Sequence, residues 1–183
     1  MAILLSLSEI QKMSKQKNIP PLWISFTIHD DRPNKLRSDE MLETACKTTI
    51  QEANALNIQL EAIGVNCSTP SAISNAVPAL AKIVEGTNIK VSAYGNCFKT
   101  TTSEWISSLD EDVVVKGESK SAGAPFRTHT AEEYDEEGYL LPDAYTKFAR
   151  EWAESGATII GGCCGSRPKH MEEVASSLKK PLQ

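Results

Sequence analysis

Three of the five cysteines follow segments typical of buried strands. Cys67 ends the apolar run LEAIGVNC, while Cys163 and Cys164 end the run ATIIGGCC. If both runs are strands of one parallel sheet, the three thiols lie together at its C-terminal edge, which is where βα folds bind ligands. Glycines accompany both sites and let a ligand approach the backbone closely. The pattern therefore predicts a thiolate metal site, and soft thiolates favour zinc over magnesium or calcium.

Two other interpretations of these cysteines stay open at this point. Free cysteine is among the residues most often buried, so the three side chains could simply be small core residues. A redox pair is the second alternative, although adjacent cysteines close only a strained ring and no Cys-x-x-Cys is present. Cys46 falls within a helical pattern and is interpreted as core, whereas Cys97 follows a neighbouring strand and could act as a supplementary ligand.

The rest of the chain alternates strands with helices. Strands are predicted at 21–28, 60–67, 89–96 and 157–164, and helices at 40–56, 71–85, 142–155 and 168–178. A further helix is expected at 8–17, before the first strand. Such alternation indicates βαβ units and a parallel sheet, so the fold class is α/β.

The segment 98–141 interrupts this alternation of strands and helices and is too long for an ordinary connection. It is interpreted as a surface insertion with a short helix at 103–109 and a strand at 113–115. The whole chain, 1–183, is expected to form a single domain, because its length and its 40% hydrophobic residues suffice for one core.

The charge and hydropathy of the chain exclude several classes of partner. A formal net charge of -5 argues against a nucleic-acid partner, whose binding depends on clustered Lys and Arg. The sequence shows no signal peptide and no apolar run long enough to span a bilayer. We therefore expect a soluble, cytoplasmic protein that acts on small molecules.

The motifs GVNC at 64–67 and GGCCG at 161–165 together resemble the homocysteine S-methyltransferases, whose zinc-dependent domain is a (β/α)8 barrel. The run WISFT at 23–27 is similar to the family's fifth strand and residues 93–96 to its seventh. The resemblance covers residues from Pro20 onward and matches the C-terminal half of the family's domain. It implies half of a TIM-type barrel, about four parallel strands with flanking helices, truncated at the N-terminus. One departure is Tyr94-Gly95-Asn96, where the family commonly has Tyr-Pro-Asn.

The resemblance implies that Cys67, Cys163 and Cys164 hold Zn²⁺ and leave its fourth position open for the homocysteine sulfur. The donor would be S-methylmethionine or S-adenosylmethionine, and the product methionine. Two alternatives are a non-catalytic zinc or thiol-binding remnant of such an enzyme and an unrelated α/β protein with core cysteines. Open sheet edges would favour self-association.

Other polar residues carry weaker predictions. Asn66 and Asn96 are candidates for binding the amino-acid end of the substrate, although Asn at a strand end is equally a turn former. Ser25 and Thr27 alternate on the first strand; they are interpreted as packing residues, the alternative being that they face the barrel interior. The acidic run 132–137 is expected to be a solvated loop, and the three histidines to be surface or capping residues: His29, His129 and His170.

Overall fold

The computed structural model describes residues 20–98 and 133–179, together with Glu9. Four strands and four helices alternate along the chain within these ranges. In chain order they are β1 (Leu22–Thr27), α1 (Leu42–Ala55), β2 (Leu60–Ser68), α2 (Pro70–Ile83), β3 (Lys90–Gly95), α3 (Pro142–Glu154), β4 (Ile159–Gly162) and α4 (Pro168–Leu178).

The strands form one parallel sheet in the order β1-β2-β3-β4. Consecutive parallel neighbours require a crossover, and a helix supplies it in each of the three connections. The predicted α/β class, four parallel strands with flanking helices, is therefore confirmed. All eight predicted strands and helices within the described ranges are present, with ends that differ from the predicted ones by no more than two residues.

The helices pack against one face of the sheet. Alternate strand residues on that face, including Ile63, Val65, Val91 and Ala93, join buried residues of all four helices in a single apolar core. The amphipathic helix α3 contributes Tyr145, Phe148 and Trp152, which are spaced at 3 and 4 residues as one helix face requires.

The opposite face of the sheet carries more polar side chains. Ser25 lies opposite Gly64, and Thr27 lies opposite Asn66 in the register of β1 and β2. Trp23 is on this face and is 52% exposed. Among the described residues no helix covers this face, which is the face that would line the interior if the sheet closed into a barrel.

Several predicted features fall outside the described residues. They are the leading helix at 8–17 apart from Glu9, the short helix at 103–109, the strand at 113–115 and His129. Of the predicted insertion, Phe98 and residues 133–141 are described, and there Leu140 is buried in the core. Within 20–98 and 133–179, no helix combines the length and apolar character needed to cross a membrane.

Gly64 of the GVNC motif pairs with Ser92 on the neighbouring strand β3. A methyl group at this position would overlap the carbonyl and hydroxyl oxygens of Ser92 on the neighbouring strand. We expect Gly64→Ala to lower the free energy of unfolding by about 3 kcal/mol, the upper end of overpacking costs. Urea denaturation would measure the change.

Gly86→Ala is the matched control, because nothing lies within 4 Å of the added methyl group and only its positive φ of 75° opposes the substitution. Its expected cost is about 1 kcal/mol. Equal losses in the two variants would contradict the steric explanation for Gly64.

Candidate metal site at the sheet edge

The three predicted cysteines meet at the C-terminal edge of the sheet. Cys67 is the penultimate residue of β2, and Cys163 and Cys164 directly follow β4. Their sulfur atoms all lie within 4.8 Å of one another. The Sγ atoms of Cys67 and Cys163 are 2.6 Å apart, and those of Cys163 and Cys164 are 3.9 Å apart. Residues separated by 96 positions in the sequence are therefore neighbours in the fold.

A break in the strand register determines where Cys67 points. The pairing of β2 with β3 shifts between Asn66 and Ser68, so Cys67 is an extra residue in the ladder, and its φ is 50°. In a regular strand Cys67 would follow Ile63 and Val65 onto the helix face. A bulge re-aims one side chain, and left-handed backbone at a residue other than glycine costs of order 1–3 kcal/mol. This unfavourable backbone conformation occurs at one of the three clustered cysteines, Cys67.

The loop that carries Cys163 and Cys164 is fixed by backbone hydrogen bonds. The Cys163 N–H donates to the Gly95 carbonyl at 2.9 Å, and the Cys97 N–H donates to the Cys164 carbonyl at 2.8 Å. The Ser166 hydroxyl donates to the Cys163 carbonyl at 2.7 Å, which closes the turn. The residues just after β3 thus hold the cysteine loop in register.

Gly165 permits this turn to pack closely. Its φ is 76°, and an added methyl group would lie 2.9 Å from the Phe98 ring and 3.1 Å from the Tyr139 ring. These two aromatic rings are in contact, with centroids 5.8 Å apart. The final glycine of the GGCCG motif therefore allows a left-handed turn under an aromatic pair.

The five thiols differ in burial. Burial raises the pKa of Cys46 and of Cys97 to about 12, and both side chains are 0% exposed. Burial also raises the pKa of Cys67, as does its contact with Cys163, while hydrogen bonds from Asn66 and Cys164 act in the opposite direction. Cys164 is the exposed member of the set. Cys97 is not one of the three whose sulfurs form the cluster.

The candidate substrate residues occupy different environments. Asn66 is half-buried beside Cys67, and its Oδ1 accepts a hydrogen bond from the Ser25 hydroxyl at 2.7 Å. Asn96 is only 3% exposed, and its backbone N–H donates to the Ser68 carbonyl. Substrate contacts by either residue stay predictions.

His170 confirms the prediction that the histidines are surface or capping residues, since it is a capping residue. It caps α4, because its Nδ1 accepts the Arg167 N–H at 3.0 Å, but it is not a surface residue, being 2% exposed. With Nδ1 accepting, the Nε2–H donates to the Leu140 carbonyl at 2.7 Å. The buried ring thus satisfies two backbone groups. His29 is half-buried and contacts Arg32.

The acidic loop is partly engaged rather than wholly solvated. Arg167, which follows the cysteine loop, donates to Asp135 at 3.3 Å and to Glu137 at 2.5 Å. Its guanidinium lies 4.3 Å from the centroid of the Tyr139 ring. Glu136 and Glu137 are exposed, while Asp135 is half-buried. Exposed pairs of this kind contribute little stability.

Two polar residues near the site gave no recognisable sequence signal. Asp30 is buried and joins α2 to the loop after β1, since its carboxylate accepts the Thr69 N–H at 2.6 Å and pairs with Arg37 at 3.2 Å. Tyr145 reaches from α3 to the ends of β3 and β4. The helical pattern marks Tyr145 as buried, but it does not reveal which backbone groups the hydroxyl meets.

Comparison with known proteins agrees with this geometry. The family model described as homocysteine S-methyltransferase matches residues 2–178 of the 183. The chain belongs to the homocysteine S-methyltransferase family. The match extends toward the N-terminus beyond the part that the motifs identify.

Individual members of the family are distant relatives. Homocysteine S-methyltransferase 1 of Arabidopsis thaliana is 23% identical over 171 residues, which cover 93% of this chain and 41% of the relative. Homocysteine S-methyltransferase YbgG of Bacillus subtilis is 25% identical over 154 residues, which cover 84% of this chain and 37% of the relative. The chain thus spans about two fifths of the length of these relatives.

A solved structure shows the same fold. The oxidized form of the homocysteine methyltransferase MmuM from Escherichia coli matches with a TM-score of 0.53 and 17% identity, covering 94% of this chain and 40% of that one. At this identity the likeness is evidence for the fold alone.

The three thiols fit the zinc ion that the family resemblance implies. Zn–S bonds of about 2.3 Å in a tetrahedron place sulfur atoms about 3.8 Å apart. Cys163 and Cys164 already have this spacing at 3.9 Å, while Cys67 and Cys163 would have to separate by about 1 Å from 2.6 Å. That change lies within the reach of a χ1 adjustment.

Native alkylation should separate the five thiols. Cys164 should react first with iodoacetamide, because it is exposed, while Cys46 and Cys97 should stay unmodified, since burial both shields them and raises their pKa to about 12. Mass spectrometry of the digested protein reads out each site. The same reaction in urea is the control and should modify all five. Rapid native labelling of Cys46 would contradict the described core.

Proposed function

We propose that this chain is the zinc-binding part of a homocysteine S-methyltransferase. The observation that carries the proposal is the approach of three thiols from two separate strand ends to within 4.8 Å. Packing of a small side chain does not explain why Cys67 bulges out of the strand pairing and lies next to Cys163. Three thiolates complete three positions of a tetrahedral zinc and leave one open, as in catalytic sites.

The residues of this chain would hold the metal and fix its geometry. Cys67, Cys163 and Cys164 would be the ligands, and the hydrogen bonds from Cys97 and Ser166 would fix the loop that carries two of them. Zinc bound here would lower the pKa of a homocysteine thiol in the fourth position, so that the sulfur is a nucleophile at neutral pH.

The reaction would be a methyl transfer between sulfur atoms. The homocysteine sulfur would attack the methyl carbon of a sulfonium donor, either S-methylmethionine or S-adenosylmethionine. A new S–CH₃ bond forms as the old one breaks, and its electron pair stays on the donor sulfur. The products are methionine and the demethylated donor, with the homocysteine proton released to solvent. Asn66, beside Cys67, is the candidate for binding the amino-acid end of the substrate.

Zinc binding tests the site directly. We expect the purified chain to bind close to one zinc, and Cys67→Ser, Cys163→Ser and Cys164→Ser each to weaken binding more than about 100-fold, beyond the 10–100-fold typical of changes around the ligands. A hydroxyl is a poor substitute for a zinc-bound thiolate. Metal analysis after dialysis against a chelator would measure this loss.

Cys46→Ala and Cys97→Ala are the matched controls, because both thiols are buried and outside the cluster. They should retain zinc. Unchanged zinc content in all three serine variants would refute the site, and metal loss in Cys97→Ala would make Cys97 a ligand.

A second candidate function, a zinc or thiol-binding module without turnover, is favoured by the open sheet. Among the described residues β1 pairs only with β2, β4 pairs only with β3, and the face with Trp23 has no covering layer. Substrate bound at the cysteines would lack a wall on that side. Catalysis would suffer from this, because correct positioning of two reactants can account for about 7–11 kcal/mol of an activation barrier.

The chain of 183 residues expressed alone should therefore bind zinc, self-associate and show little methyl transfer. Unpaired strand edges favour association, and Trp23 on the uncovered face is exposed. Light scattering gives the mass, and methionine formation from homocysteine with either donor gives the activity. Substantial zinc-dependent turnover by a monomer would show that this chain is catalytically active by itself. It would exclude the second candidate function, a binding module without turnover.

A further inference from the structure

The hydroxyl of Tyr145 lies at the junction between β3 and β4. It accepts the Gly95 N–H at 3.0 Å and donates to the Gly161 carbonyl at 2.7 Å. The Gly95 carbonyl is also nearby, at 3.2 Å. One side chain from the first turn of α3 thus contacts the last residues of two strands.

The two strand ends that Tyr145 joins are those that place Cys163. Gly161 precedes Cys163 by two residues, and Gly95 accepts the Cys163 N–H through its carbonyl at 2.9 Å. The Gly95 N–H and Gly95 carbonyl therefore connect Tyr145 on one side with Cys163 on the other. A shift of β4 along β3 would break both sets of hydrogen bonds and move Cys163 relative to Cys67.

The phenol ring is itself held in place. It is fully buried and makes edge-on contacts with Trp152, at 5.6 Å between centroids, and with His170, at 5.9 Å. Burial raises the pKa of Tyr145, so the hydroxyl keeps the proton that it donates. Gly95 is buried as well, and its N–H and its carbonyl both lie within hydrogen-bond distance of the hydroxyl.

We infer that Tyr145 is a positioning residue for the metal site: it fixes the ends of β3 and β4 so that Cys163 faces Cys67 before a metal binds. This inference rests on the proposed zinc function. It differs from a general packing role because the aromatic ring alone would fill the same space. The hydroxyl acts on the strand ends and so on the geometry of the thiols.

Tyr145→Phe tests the hydroxyl and leaves the ring in place. We expect zinc affinity, measured by competition with a chromogenic chelator, to fall about 10–100-fold, as for other groups that orient metal ligands. The absorption spectrum of the Co²⁺-loaded protein should also change, since it reports the arrangement of the sulfur ligands. Far-UV circular dichroism should stay unchanged.

Ser74→Ala is the matched control. It removes the acceptor of the Trp152 indole N–H, at 3.0 Å, and so leaves a buried donor unpaired in the same core but away from the cysteines. This variant should keep its zinc affinity within about 2-fold and its Co²⁺ spectrum, because no metal-orienting group is changed. Wild-type affinity in Tyr145→Phe, or an equal loss in Ser74→Ala, would overturn the inference.

Amide hydrogen exchange of the metal-free wild-type chain provides a measurement that does not depend on the variant folding. The Gly95 and Cys163 amides should be protected before zinc is added. Free exchange of both amides until zinc binds would show that the metal, not Tyr145, organises the edge. Failure of the wild-type chain to bind zinc would refute the proposed function, whereas equal zinc binding by wild type and Tyr145→Phe would refute only the role of Tyr145.

Discussion

Parallel pairing of β2, β3 and β4 is the constraint on which the site depends. The cysteines come from β2 and from the loop after β4, so β3 lies between them and sets their separation. Its final residue, Gly95, and the next residues bond to both sides: Asn96 to Ser68 at the end of β2, and Cys97 to Cys164 in the loop. Because adjacent strands are only about 4.8 Å apart, two strand spacings would leave the thiols too distant to share a metal without further adjustment.

Two local features make that adjustment. The bulge at Cys67 turns one thiol out of the regular pairing of β2 with β3. The left-handed turn at Gly165 directs the loop with Cys163 and Cys164 towards the C-terminal edge of the sheet. Cys67 has a left-handed backbone conformation that is costly for a residue other than glycine, whereas Gly165 adopts its positive φ readily. Strained backbone next to reactive side chains is typical of functional sites, and here it explains how thiols from two strands converge.

The fold is asymmetric about its sheet. Four helices bury one face in a continuous core that includes Trp152 and Tyr145, whereas the other face carries Ser25, Thr27, Asn66 and the exposed Trp23. Ser25, Thr27 and Asn66 would face the interior if the sheet closed into a barrel. The distribution of residues therefore agrees with a chain that covers about two fifths of its relatives.

The sequence by itself determined the element order, the parallel sheet and the identity of the three clustered cysteines. Apolar runs bounded by small residues, helical periodicity and proline at helix starts are local signals, and glycines beside Cys67, Cys163 and Cys164 marked the site. Tertiary structure alone decided the bulge at Cys67, the buried capping role of His170 and the bridge from Tyr145 to Gly95 and Gly161. These depend on which backbone groups meet when separate strands and helices pack, and no local pattern encodes such long-range pairings.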